Sequence, residues 1–285
     1  MKKIAVITDS NAGMLKEETD KLGVIVVPMP FTINGEDYFE GVNLSQEEFY
    51  EKLKGGADVS TSMPSPGTLI DLFEEKLKDY DEIVYIPMSS GLSGSCAAAA
   101  SIAEDYDNRI QVVDNRRISV TQRQSVLRAL DMAAAGAGAS DIKRTLEEEG
   151  GESSIYIMLD TLHYLKKGGR ITPAVAAIGT LLHIRPVLQI QGDKLDTFSK
   201  ARTIAAGKKV MLEAVREDGE KRFGGISPDN VMIAAAYTYD KEAAAVWKNE
   251  IMEAFPGFDV YMAPLSLSVS CHIGPGALAM TITKI

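Results

Sequence analysis

Three short apolar runs in the first half of the chain each end in a polar turn, and this pattern restricts the fold more than any other feature. Ile4-Ala5-Val6-Ile7 leads into Thr8-Asp9-Ser10, Glu82-Ile83-Val84-Tyr85-Ile86-Pro87 into Met88-Ser89-Ser90-Gly91, and Ile110-Gln111-Val112-Val113 into Asp114-Asn115. Apolar runs this short, bounded by turn residues, read as strands buried on both faces of a parallel sheet. Helical stretches separate them. Ser45 caps a segment starting at Gln46, Pro66 to Leu77 carries Leu69, Leu72, Phe73 and Leu77 on one face, and Ala-rich runs cover Ala97 to Ala103 and Val126 to Ala135. Strand, polar turn and helix in repetition predict an N-terminal doubly wound, mainly parallel α/β sheet. Ligands of such sheets lie beyond the carboxyl ends of the strands, so the three polar turns are expected to face one crevice.

The small residues Gly136 to Ser140 are followed by a short helix that ends in Glu147-Glu148-Glu149-Gly150-Gly151, and a domain boundary is expected there. Residues 151–285 offer Ser154 to Leu159, Val187 to Ile190, Val231 to Tyr237, Val260 to Ala263 and Ala277 to Ile282 as strands between helices, which predicts a smaller two-layer α/β C-terminal domain. At 285 residues, with 45% hydrophobic and 25% charged side chains, the chain is long enough for two cores. Its net charge of -10 excludes a nucleic-acid partner that relies on clustered Lys and Arg. Two cysteines, Cys96 and Cys271, stand too far apart for a CxxC motif, so neither a metal site nor a disulfide framework is expected. The polar residues soon after Met1 and the lack of any apolar run of about 18 residues predict a cytoplasmic protein with peripheral membrane contact at most.

Hydroxyl-rich loops carry the candidate chemistry. Thr61-Ser62-Met63-Pro64-Ser65-Pro66 stands just before a helix, so its hydroxyls and the free N–H groups of the helix could converge on one anion, although a plain capping loop has the same composition. Ser89-Ser90-Gly91-Leu92-Ser93-Gly94-Ser95 lies at a strand's carboxyl end, where two glycines allow a ligand close to Ser93 and Gly94. The same stretch is one residue short of the G-x-S-x-G nucleophile elbow, so a serine hydrolase using Ser93 and His272 stays open, as does an anion or phosphate sensor. His272 precedes a Gly-Pro-Gly turn that can aim it rigidly, Cys271 beside it reads as a small packed residue, and Arg170 follows the Gly168-Gly169 helix stop. His163 has the helical spacing of a packed or capping histidine.

In this order and spacing, Thr8-Asp9-Ser10, Thr61 to Pro66, Ser90 to Gly94, Leu159 to Ile171, Lys200-Ala201-Arg202-Thr203 and His272 to Gly276 closely resemble the DegV family, whose members serve as fatty-acid-binding subunits of bacterial fatty acid kinase. The resemblance implies two α/β domains, 1–150 and 151–285, with a long-chain fatty acid in an apolar tunnel between them. It also implies a carboxylate held by residues matching Thr61 and Ser93, with Ser62, Gly94 and His272 in the same network. Arg170 and Arg202 would lie near the mouth, where a separate ATP-using kinase subunit docks. The chain itself would then perform no catalysis and need no cofactor, and it has no G-x-x-x-x-G-K-[ST] loop. It departs from the family's usual residues at Met63, Asn115 and Arg185. The apolar, small-residue segment from Pro173 to Leu182 is a candidate tunnel wall.

Overall fold

The structure is a computed structural model that describes residues 2–178 and 184–285. The chain opens with strand β1 (Ile4–Asp9), helix α1 (Lys16–Leu22) and β2 (Ile25–Val27). It continues through β3 (Pro30–Ile33), β4 (Glu36–Phe39), α2 (Gln46–Lys54), β5 (Val59–Thr61), α3 (Pro66–Lys76) and β6 (Glu82–Ile86). Then come α4 (Ser95–Ala103), β7 (Ile110–Val112), α5 (Val120–Ala134) and α6 (Ala139–Glu148). Strands β1, β2, β6 and β7 form a parallel sheet in the order β2-β1-β6-β7. Leu69, Phe73, Cys96 and Ala99 of α3 and α4 pack on one face, and Val126, Ala129, Ile142 and Leu146 of α5 and α6 on the other. That is the doubly wound arrangement the alternating runs predict.

The three polar turns do come together. Asp9 Oδ2 accepts from the Met88 N–H at 2.8 Å, Asp114 Oδ1 accepts from the Ser90 N–H at 3.2 Å, and Ser89 N–H donates to the Arg117 carbonyl at 2.9 Å.

The rest of the chain contributes β8 (Ser153–Met158), α7 (His163–Lys167), α8 (Pro173–Ile178), β9 (Arg185–Ile190), β10 (Leu195–Ala201) and α9 (Ile204–Arg222). It ends with β11 (Val231–Tyr237), α10 (Lys241–Ala254), β12 (Tyr261–Pro264), α11 (Leu267–Ile273) and β13 (Leu278–Lys284). Six of these strands form one mixed sheet, β10-β9-β8-β13-β11-β12. Alternation along β8 and β13 divides its faces. Tyr156, Met158, Leu278, Met280 and Ile282 pack against Met211, Val215, Trp247 and Ile251 of α9 and α10, whereas Ile155, Ile157, Ala279 and Thr281 point to the opposite side.

Two strand groups depart from the sequence reading. β10 adds a sixth strand to what was expected as a smaller C-terminal sheet. A separate antiparallel sheet, β4-β3-β5, carries Thr61 at its edge. Helix α11 joins that small sheet to the mixed sheet, because Leu267 and Cys271 pack with Phe31, Ile33, Phe49 and Val59.

Candidate functional site

A cavity of about 360 Å³ lies between the Ile155 and Ile157 face of the mixed sheet and the turns that follow β5 and β6. Its floor comes from strand register: Ala279 stands opposite Ile157, Thr281 opposite Ile155, and Ala236 opposite Ala279. The alanines leave the room that larger side chains would fill. Met29, Met88, Leu92 and Ile118 close it from residues before 150, and Leu165, Ile190, Leu195, Leu265, Val269 and Ile273 from residues after 150. The volume is within the range of small-molecule sites, and the lining is mostly apolar.

The polar part of the wall contains Thr61, Ser62, Ser93, Gly94, Arg170 and His272, brought together from four segments far apart in sequence. Thr61 ends β5, and its Oγ1 lies 2.8 Å from His272 Nε2. His272 is delivered by the face of α11 that also presents Ser268, Val269 and Ile273, opposite the face that packs on the small sheet. Burial, and then the nearby Arg170 guanidinium, push the imidazole down to about 4 from its ordinary 6.5, so the ring is neutral at physiological pH. Its Nδ1 is buried with no hydrogen-bond partner among the described residues.

Ser93 sits in the turn before α4, where its Oγ accepts from the Ser95 N–H at 3.2 Å, and its own hydroxyl proton has no acceptor among the described residues. Gly91 in the same turn packs so tightly against the Asp193 backbone that a Cβ there would overlap it, which seats the tip of the β9–β10 hairpin on the Ser93 turn. Ser62 and Met63 are exposed at the rim, with Met63 at 47%. Arg170 is also exposed, and its Nη1 donates to the Gly168 carbonyl at 3.0 Å.

Other residues singled out in the sequence do not line the cavity. The N-terminus of α3 does not reach the cavity: Ser65 Oγ accepts from the Thr68 N–H at 3.1 Å and caps that helix locally, and no residue of α3 lines the wall. Arg202 is exposed before Thr203, which caps α9, and is not among the lining residues. Of the candidate wall from Pro173 to Leu182, residues 179–182 lie outside the described residues, and 173–177 contribute nothing to the lining. His163 is exposed and edge-on to Tyr164. Arg185 pairs with Asp160. Asn115 is buried, with its amide donating to Ser125 Oγ at 2.6 Å.

The thiols of Cys96 and Cys271 are both pushed up to about 12 by burial, so neither is an available nucleophile. No cluster of His, Cys, Asp or Glu able to hold a metal occurs among the described residues, and no helix among them is long and apolar enough to cross a membrane.

Residues 3–284 match the family model described as "Uncharacterised protein, DegV family". The chain is 31% identical over 283 residues to a DegV domain-containing protein of Listeria innocua, covering 98% of each, and 31% identical over 280 residues to the protein DegV of Bacillus subtilis, covering 97% of this chain and 98% of that one. Among solved structures, it superposes on a DegV family protein from Thermus thermophilus, described as fatty acid binding, with a TM-score of 0.90, 27% identity and coverage of 99% and 100%. DegV of Bacillus subtilis, described as a fatty acid binding protein, gives a TM-score of 0.88 at 30% identity, with both chains covered in full. The chain belongs to the DegV family.

Proposed function

We propose that this protein binds a long-chain fatty acid between the parts formed by residues 1–150 and 151–285, and presents its carboxylate to a separate ATP-dependent kinase for acyl-phosphate formation. One observation carries the reading: a single cavity joins a largely apolar wall to a cluster of neutral hydroxyl and imidazole groups around Thr61, Ser93 and His272. Each buried methylene is worth about 0.8 kcal/mol, so the hydrocarbon supplies most of the affinity. The polar cluster has to satisfy the head group rather than drive binding. Neutral donors leave the carboxylate ionised and able to attack a phosphorus centre. Thr61, Ser62, Ser93, Gly94 and His272 are the ligand contacts in this reading. Arg170 at the rim and Arg202 outside the cavity are assigned to kinase docking or to the transferred phosphate, roles that suit a guanidinium.

Catalysis by the chain itself is disfavoured by the imidazole geometry. A serine hydrolase needs its histidine to face the nucleophile on one side and an acid on the other. Here Nε2 faces Thr61, and Nδ1 has no acid. A sensor of a small polar anion would leave the apolar wall unexplained.

Native mass spectrometry of protein purified from cells tests the reading. A retained fatty acid, together with palmitate-dependent phosphate uptake on adding a partner kinase, is the expected result. A polar phosphate ligand, or p-nitrophenyl ester hydrolysis abolished by Ser93→Ala, would replace it with one of the other two activities.

A further inference from the structure

The segment carrying His272 is fitted to the segment carrying Arg170 through three glycines. A Cβ at Gly168 would overlap His272 Nδ1, one at Gly274 would overlap the Tyr164 ring, and one at Gly276 would press on the Asp160 carboxyl group. Gly274 and Gly276 have φ values of +76° and +85°, so their backbone alone calls for glycine. Gly168 is different. It ends α7 at φ -79° and ψ 0°, a conformation open to any residue, and only the space above its Cα is refused.

That space is taken by the imidazole edge bearing the unpartnered Nδ1. A neutral imidazole has one N–H and one bare nitrogen. With the proton on Nδ1, a buried donor would go unpaired, and Nε2 would have to accept the Thr61 hydroxyl proton. With the proton on Nε2, Thr61 Oγ1 accepts it, and the threonine's own proton is free for a ligand oxygen. An unpaired lone pair is the less costly of the two leftovers, because buried donors without partners are the rarer defect in proteins.

We propose that Gly168 is a positioning residue for the carboxylate site: its missing side chain seats the His272 ring so that Nε2–H donates to Thr61, which leaves the Thr61 hydroxyl as the donor to the ligand. The inference rests on the carboxylate reading for its purpose, but its geometry can be measured without a ligand.

Imidazole ¹⁵N–¹H correlation spectra of the wild-type protein, which has three histidines, should show His272 as the Nε2–H tautomer. Gly168→Ala should displace the ring, raise the His272 pKa toward 6.5 and weaken palmitate binding about tenfold or more, the loss expected for one buried hydrogen bond to a charged group. Gly151→Ala, with open space around it, should change none of these readouts. An Nδ1–H tautomer in the wild type overturns the proposal. So does a folded Gly168→Ala variant with an unchanged tautomer and unchanged affinity. If that variant does not fold, the wild-type tautomer decides. A wild-type Nε2–H tautomer in a protein that takes up no palmitate would support the positioning of His272 and overturn the fatty-acid reading.

Discussion

Two polar clusters in this molecule, one buried and one half-buried, do different work. In the first, Asp9 accepts from the N–H groups of Asn11 at 3.0 Å and Met88 at 2.8 Å and from Gln122 Nε2 at 3.1 Å. Asn11 in turn accepts at Oδ1 from Ser266 and Ser268 at 2.6 and 2.7 Å and donates to Met88 Sδ at 2.9 Å. The protein consumes most of its bonding capacity. In the second, around Thr61, Ser93 and His272, the protein supplies two hydrogen bonds and leaves hydroxyl protons unassigned. A largely saturated cluster, in which Gln122 Oε1 alone of these named groups has no partner among the described residues, fastens the turns after β1 and β6 to α11; an unsaturated one on an apolar cavity has capacity left for a ligand.

The most damaging test of that contrast is Asp9→Ala, which strips three buried donors of their acceptor. It should cost about 3 kcal/mol or more of stability in urea unfolding, with palmitate affinity of the folded fraction nearly unchanged. Thr61→Val and Ser93→Ala should do the reverse: unfolding midpoints near wild type and palmitate dissociation constants raised about tenfold each by calorimetric titration. Ala236→Leu sharpens the contrast from the apolar side. It fills the cavity floor, so binding should shift toward shorter acyl chains in a competition series, at about 1–3 kcal/mol in stability.

Opposite pH signatures also separate the two clusters. Burial pushes Asp9 up to about 6 from 3.8, so the native state holds that proton more tightly than the unfolded chain, and the stability it contributes falls as pH rises from 3.8 through 6. His272, pushed down to about 4 from 6.5, contributes stability that is present above 6.5 and is lost as pH falls through 4. Relative to wild type, Asp9→Asn should therefore gain stability between pH 4 and 7, and His272→Gln should gain it between pH 6.5 and 4, both read from urea midpoints.

Much of the parallel sheet was legible because its strands are apolar runs bounded by turns. The small sheet was not: β3, β4 and β5 have three or four residues each, begin or end among Pro, Gly, Asn and Asp, and gain their stability from α2 and α11 rather than from local pattern. Helix α11 was also hidden, since Leu267-Ser268-Val269-Ser270 offers little helix propensity and depends on the Ser266 cap, whose Oγ accepts from the Val269 N–H at 3.4 Å. The polar lining residues could be named from their turns. The apolar ones could not, because Ile155, Ile157, Ala236 and Ala279 become a cavity floor only through the pairing of β8, β13 and β11. Local composition pointed instead to the small residues after Pro173. Gly168 could be seen as a helix stop but not as the surface on which His272 rests.

Palmitate labelled with ¹³C at the carboxyl carbon reports most directly on whether the unsaturated cluster holds a carboxylate. Bound to the wild-type protein, it should give one resonance that stays ionised from pH 8 down to pH 4, where a free carboxyl group with a pKa of about 4–5 protonates, and that shifts or broadens in both Thr61→Val and Ser93→Ala. A bound resonance that titrates like free fatty acid and is indifferent to both substitutions would contradict a carboxylate held by Thr61, Ser93 and His272.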